Sequence, residues 1–84
     1  MGHLMLGNLE PGTTDDEIRD LLVKYGFPPF DEIQHEPGDG SNPTVLLTFT
    51  SIEATTMFNL QKRIHGLFWK HRKLTARILQ DRFA

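Results

Sequence analysis

Between Thr44 and Thr50 the chain alternates with period two, placing Val45, Leu47 and Phe49 on one face and Thr44, Leu46 and Thr48 on the other. A strand of this kind is half-buried: its apolar face needs a cover, and its opposite face meets solvent or a partner. Pro43 fits only the start of such a strand, because it has no N–H to give to a central ladder. The remaining sequence therefore has to supply both the neighbouring strands and the layer that covers one side.

Punctuation at Pro11-Gly12, Gly26 to Pro29, Pro37 to Pro43 and Gly66 cuts the chain into short periodic pieces. Leu4 and Leu6 point inward in a first strand that runs toward Leu9 and turns Met5 to the opposite face. Thr14-Asp15-Asp16-Glu17 is a capping box, with acids at the positive end of the helix dipole, and Ile18, Leu21, Leu22 and Tyr25 form the apolar stripe of the helix it starts. Gly26 suits the left-handed residue after the last turn. Asp31 to Glu36 reads as a short strand with Ile33 as its clearest core residue. Ser51 is the expected N-cap of a second helix reaching about Ile64, with Ala54, Met57, Phe58, Leu60 and Ile64 available for burial. A tight turn around Lys70-His71-Arg72 precedes a last strand in which Leu74, Ala76 and Ile78 alternate with Lys73, Thr75 and Arg77.

The order strand, helix, strand, strand, helix, strand predicts an α+β, ferredoxin-like split βαβ fold with two helices on one face of a four-stranded antiparallel sheet. At 84 residues the chain has room for one domain, residues 1–84. Without cysteine it has no disulfide, thiol nucleophile or thiolate metal site, which points to an intracellular, cytoplasmic protein. No stretch approaches the roughly 20 apolar residues of a membrane span. The formal charge of −2 argues against holding nucleic acid by bulk positive charge, yet residues 1–42 carry nine acids against two bases, and residues 43–84 carry seven bases against two acids. A polarised surface and two merely solvated faces are both consistent with this division.

Leu4-Met5-Leu6-Gly7-Asn8-Leu9, Thr13 to Gly26 and His65 to Leu74 together resemble the RNA recognition motif (RRM) family over nearly the whole chain. The first segment resembles the family's RNP hexapeptide, with Met5 at the usual aromatic position. The octapeptide K/R-G-F/Y-G/A-F-V-x-F/Y aligns with Asn42 to Phe49, where only Phe49 matches strictly. The resemblance implies single-stranded RNA as partner, with Met5, Thr44 and Leu46 where aromatic platforms would stand. Each stacked base contributes about 1–3 kcal/mol, so two missing platforms lose about 2–6 kcal/mol, or roughly 30- to 10⁴-fold in affinity. Weak or low-specificity binding is the expectation, through Met5, Asn8, Thr44, Leu46, Thr75 and Arg77, with Lys70, Arg72 and Lys73 supplying phosphate contacts. Asn8 fits equally a role in tying down the turn after the first strand, and the basic residues fit a solvated hairpin.

Two other classes compete. A protein-interaction module would bind a peptide or a second copy through the apolar sheet face at Met5 and Leu46, unless the tail Leu79 to Ala84 folds over that face. One RRM variant binds tryptophan-containing peptides through an Arg-x-Phe turn beside an acidic first helix. Here Leu67-Phe68-Trp69 occupies that turn and lacks the arginine, and Trp69 reads as a packing residue. Acylphosphatases share the topology, but Gly38-Asp39-Gly40 is acidic rather than phosphate-cradling, Asp15 and Asp16 are explained as capping charge, and His3, His35, His65 and His71 lack metal-ligand spacing. The chain is therefore read as a binding module and not an enzyme, with no cofactor and no small-molecule substrate.

Overall fold

The computed structural model describes residues 2–36, 38 and 40–79. Strand β1 (Gly2–Gly7) is followed by helix α1 (Asp15–Lys24), strands β2 (Glu32–Glu36) and β3 (Thr44–Phe49), helix α2 (Ala54–Ile64), a short hairpin of β4 (Phe68–Trp69) and β5 (Arg72–Lys73), and β6 (Thr75–Leu79). The main sheet has the order β2-β3-β1-β6 with every neighbouring pair antiparallel, so the fold is the α+β, ferredoxin-like arrangement. No described helix is long and apolar enough to cross a membrane.

The inward set of the alternating strands forms the core. Leu4, Leu6, Val45, Leu47, Phe49 and Ala76 are almost completely buried, and Ile18, Leu22, Met57 and Ile64 reach down to them from the helices. Phe27 and Phe49 pack as tilted rings 5.6 Å apart. At the start of α1, the Thr14 hydroxyl accepts from the Glu17 N–H (3.2 Å) while the Glu17 carboxylate accepts from the Thr14 N–H (2.9 Å). Its end is a Schellman closure: the Phe27 N–H donates to the Leu22 carbonyl and the Gly26 N–H to that of Val23, with Gly26 at φ 101°.

Two side-chain ties fasten β2. The Asp31 carboxylate accepts from both the N–H (2.7 Å) and the hydroxyl (2.8 Å) of Thr50, and His35 Nε2 lies 2.7 Å from the Asp15 carboxylate on α1. The Thr50 backbone N–H, and then its hydroxyl, hold the Asp31 carboxyl below the usual aspartate range.

The structure departs from the sequence reading at three places. Helix α2 is capped by Glu53 rather than Ser51, with no side-chain cap bond, so its first turn is closed only by backbone. Of the residues available for burial on that helix, Met57, Leu60 and Ile64 are buried, whereas Ala54 is exposed and Phe58 is 51% exposed, with the Lys62 ammonium 4.4 Å from its ring centre. The last strand is broken at Leu74, between β5 (Arg72–Lys73) and β6 (Thr75–Leu79), whereas the expected tight turn before it is present: Lys70 (φ 51°) and His71 (φ 71°) form a two-residue left-handed turn between β4 and β5. The turn geometry requires positive φ at both positions, and neither residue is the glycine that would adopt it without steric cost.

Candidate nucleic-acid interface

Because side chains alternate along each strand, the residues between the buried ones project from the side of the sheet away from both helices. The registers arrange them in rows. Gln34, Leu46, Met5 and Arg77 cross the middle of the sheet from β2 to β6. One step toward the start of β1 lies the row Glu32, Thr48, His3 and Leu79. At the other end, Glu36 pairs with Thr44 and Gly7 with Thr75. Gly7 is needed there, since a Cβ on it would stand 2.7 Å from the Thr75 hydroxyl oxygen and 3.3 Å from that of Thr44.

Met5, Thr44 and Leu46 thus share this open face, as the sequence alternation requires, and Thr75 and Arg77 flank them at the β6 edge. Met5 and Leu46 are half-buried within the sheet rather than standing clear of it. The large hydrophobic residues exposed among those described are Val23, Phe58, Phe68 and Leu79, and only Leu79 belongs to this face. The open face therefore lacks a broad apolar patch for a peptide or a second copy. The tail beyond Leu79, a possible cover in the sequence reading, lies outside the described residues.

Charge is distributed across the face in order. Glu32 and Glu36 line the β2 side, the centre is neutral, and Arg77 occupies the β6 side. The acid-rich first half and base-rich second half of the sequence are brought together here as the two margins of one surface.

The three hairpin bases grouped by the sequence reading as phosphate contacts separate in the structure. Lys70 turns toward α1, where its ammonium sits 2.9 and 3.0 Å from the two carboxylate oxygens of Glu17. The Thr14 N–H and then this ammonium hold the Glu17 carboxyl below the usual glutamate range. Arg72 donates to the carbonyls of Ser41 (2.6 Å) and Leu9 (3.2 Å), and its Nε lies 3.3 Å from Glu10, fastening the β2–β3 loop to the end of β1. Lys73 is exposed and projects on the side opposite the buried Leu74. Of the three, Lys73 alone makes no side-chain hydrogen bond or ion pair with the described residues.

Asn8 adopts a left-handed conformation (φ 59°) and its side-chain amide donates to the Lys73 carbonyl at 2.8 Å, which ties β1 to β5. Trp69 is half-buried against the core, as expected of a packing residue. Where the Arg-x-Phe turn would align, Leu67 packs on the core, Phe68 is 67% exposed, and Glu17 of the acidic helix is already paired with Lys70. Among the described residues no group of three His, Cys, Asp or Glu side chains is placed to hold a metal ion.

His3 and Gln34 escaped the sequence reading. His3 stands two residues before Met5 and so shares its face, with its ring Nδ1 3.2 Å from the Thr48 hydroxyl. Gln34 follows from Ile33 pointing inward, a signal that was present but weak in a strand whose other residues are all exposed.

No family model and no curated protein matches the sequence. Solved structures do resemble the fold. The third RRM of Pes4 superimposes with a TM-score of 0.78 at 20% identity, covering 100% of this chain and 98% of that one. The C-terminal RRM of MEC-8, solved bound to AGCACA, gives 0.69 at 12% identity over 99% of this chain and 95% of that one. The first RRM of Plasmodium falciparum SR1, solved in complex with ACAUCA RNA, gives 0.62 at 16% identity, covering 92% and 82%. With the strand order, the two helices on one side and the positions of Met5, Thr44 and Leu46, these likenesses establish that the chain has the fold of an RNA recognition motif.

Proposed function

We propose that the open sheet face binds single-stranded RNA weakly and with little sequence selectivity. The observation that carries this reading is the row Leu46, Met5 and Arg77, in which two apolar residues stand side by side on the two central strands with an arginine next to them on the edge strand. Leu46 and Met5 give base faces a dispersion surface without the π-stacking of an aromatic platform, and Arg77 stacks on a base or pairs with a phosphate. Thr44, Thr75 and Asn8 offer hydrogen bonds at one end of the row, and Lys73 supplies a second cation. The RNA-bound MEC-8 and SR1 domains, which share the fold, support the same class of ligand. The role is one of binding and not of catalysis.

The geometry also bounds the footprint. A strand extended toward β2 brings its phosphates to Glu32 and Glu36, so contact is favourable over β1, β3 and β6 and unfavourable beyond. Two cations, Arg77 and Lys73, give a logarithmic salt dependence with a slope of about −1.4 for single strands, shallow compared with proteins that neutralise many phosphates.

The test is a titration of the isotopically labelled protein with short single-stranded RNAs at low salt, followed by amide chemical shifts. The expected shifts centre on Met5, Leu46, Thr75 and Arg77 and leave α1 and α2 unmoved. An unchanged spectrum at millimolar RNA, or shifts confined to the helices, would overturn the reading.

A further inference from the structure

On the side of the molecule away from α1, a groove of about 980 Å³ runs between α2 and the edge strand β6, with Ile52, Met57, Phe58 and Ile78 among its apolar walls and Gln61 and His65 among its polar ones. From it we infer a peptide-docking site that takes an extended, acidic segment carrying a bulky apolar side chain, which adds to β6 as a short strand at Ile78. This inference does not rest on the RNA reading.

The backbone of β6 sets the position. In an antiparallel pair the N–H and C=O of one residue point the same way, and successive residues alternate between the partner strand and the outer edge. Leu74 points outward, and its N–H and C=O are bonded to the Leu67 carbonyl and the Gly66 N–H at 2.8 Å each. Ala76 also points outward. Its N–H donates to His65 Nδ1 (3.1 Å), and its C=O accepts from the Gln61 amide (2.6 Å). Ile78 is the next outward residue, and its N–H and C=O meet no partner among the described residues. Two rungs of the edge are thus closed by the protein itself and, among the described residues, the third is open beside the groove. An added strand that bonds there places its side chains alternately toward the groove and away from it.

Chemistry at the rim selects the occupant. Phe58 presents half its surface to the groove mouth with the Lys62 ammonium held over its ring. The Lys62 ammonium stands beside an apolar slot, which complements an apolar side chain neighboured by carboxylates and disfavours a basic segment.

The experiment uses the full chain and two synthetic pentapeptides, acetyl-Glu-Val-Phe-Val-Glu-amide and its counterpart with lysine at both glutamates, each titrated against the labelled protein. The acidic peptide is expected to shift the amides of Phe58, Gln61 and Ile78 and to approach saturation by about 1 mM, with the basic peptide at least about tenfold weaker. Phe58→Ala is expected to weaken binding about tenfold. Ile78→Pro removes the outward N–H without breaking a bond to β1, and is expected to abolish binding while the β1 and β3 amides stay in place. Should Ile78→Pro fail to fold, Phe58→Ala decides, since its side chain is half-exposed. Equal affinity for the two peptides, no shift at 1 mM, or shifts on Met5 and Leu46 instead would overturn the inference. So would concentration-dependent shifts of the same groove without peptide, which would make a second copy the occupant. Binding that appears only after deletion of residues 80–84 would assign the groove to the chain's own end, and displacement of the peptide by a short RNA at the groove amides would assign it to nucleic acid.

Discussion

Leu46 and Leu47 follow each other in β3, yet one lies half-buried among threonines on the open face and the other is wholly buried beneath the helices. The contrast extends to the two faces as wholes. On the covered side every strand position is fixed by volume: Leu4, Leu6, Val45, Leu47 and Phe49 meet helix side chains and leave no buried polar residue among those described. On the open side the same strands carry a carboxylate margin, a neutral centre and a cationic margin, an order that packing does not require. The covered face accounts for stability, and the open face is where chemistry was left free to vary.

The sharpest way to break this division is to truncate the two leucines separately. Leu47→Ala removes a fully buried side chain and leaves a cavity between the sheet and the helices, with an expected loss of about 2–5 kcal/mol. Leu46→Ala is expected to lose under about 1 kcal/mol, because the side chain is already partly hydrated. Chemical denaturation of both variants measures the difference. Equal losses would mean that the open face is packed against something and that the division is wrong.

The next effect concerns binding alone. Met5→Phe puts an aromatic ring at the centre of the row shared with Leu46 and Arg77, and is expected to strengthen single-stranded RNA binding by about 1–3 kcal/mol, or roughly 5- to 150-fold. Fluorescence anisotropy with a labelled oligonucleotide measures it, while the unfolding midpoint stays close to that of the parent. A variant that binds no better would show that a ring at this position finds no base to stack on.

How much of this was legible in the sequence follows the same line. The alternation of Val45, Leu47 and Phe49 and the capping box at Thr14 report directly on burial and on backbone amides, so the core, α1 and the strand order could be read. Lys70 and Arg72 could not be separated from Lys73 by sequence, because all three are bases in one hairpin. What distinguishes them is contact with Glu17, 53 residues away, and with the Leu9 and Ser41 carbonyls, 63 and 31 residues away. Phe58 was misplaced for a related reason. Helical spacing assigns it to a broad apolar stripe, and only the path of β6 decides which part of that stripe is covered. The groove beside it was invisible for the same cause.

A smaller effect separates the open-face arginine from the hairpin base Lys70 by experiment. Arg77→Ala removes one of two cations facing a nucleic acid and is expected to reduce the salt slope of RNA binding by about 0.7. Between 50 and 200 mM salt this amounts to roughly a 2.6-fold difference in affinity. Lys70→Ala leaves the slope unchanged, because its charge is paired with Glu17 on the helix side. Affinities measured at four salt concentrations test both variants together, and a change of slope in Lys70→Ala would place that ammonium on the ligand after all.

The smallest effect lies in acid. The Asp31 and Glu17 carboxyls are both held below their ordinary values of 3.8 and 4.5, Asp31 first by the Thr50 N–H and Glu17 first by the Thr14 N–H. A carboxylate whose titration is depressed by folding contributes stability in full above its ordinary value, and that contribution disappears as the pH falls through the depressed one. The protein should therefore lose stability as it is acidified below pH about 4.5, and Asp31→Asn should make that decline shallower because the neutral amide has nothing to titrate. Both carboxyls are exposed to solvent, which keeps the effect small. Urea midpoints at pH 6 and pH 3 for the parent, Asp31→Asn and Arg77→Ala measure it. Arg77→Ala should follow the parent, since the open-face arginine takes part in neither tie. An acid response altered by Arg77→Ala and untouched by Asp31→Asn would show that the open-face arginine, and not the Asp31 and Glu17 ties, sets the response of this fold to protons.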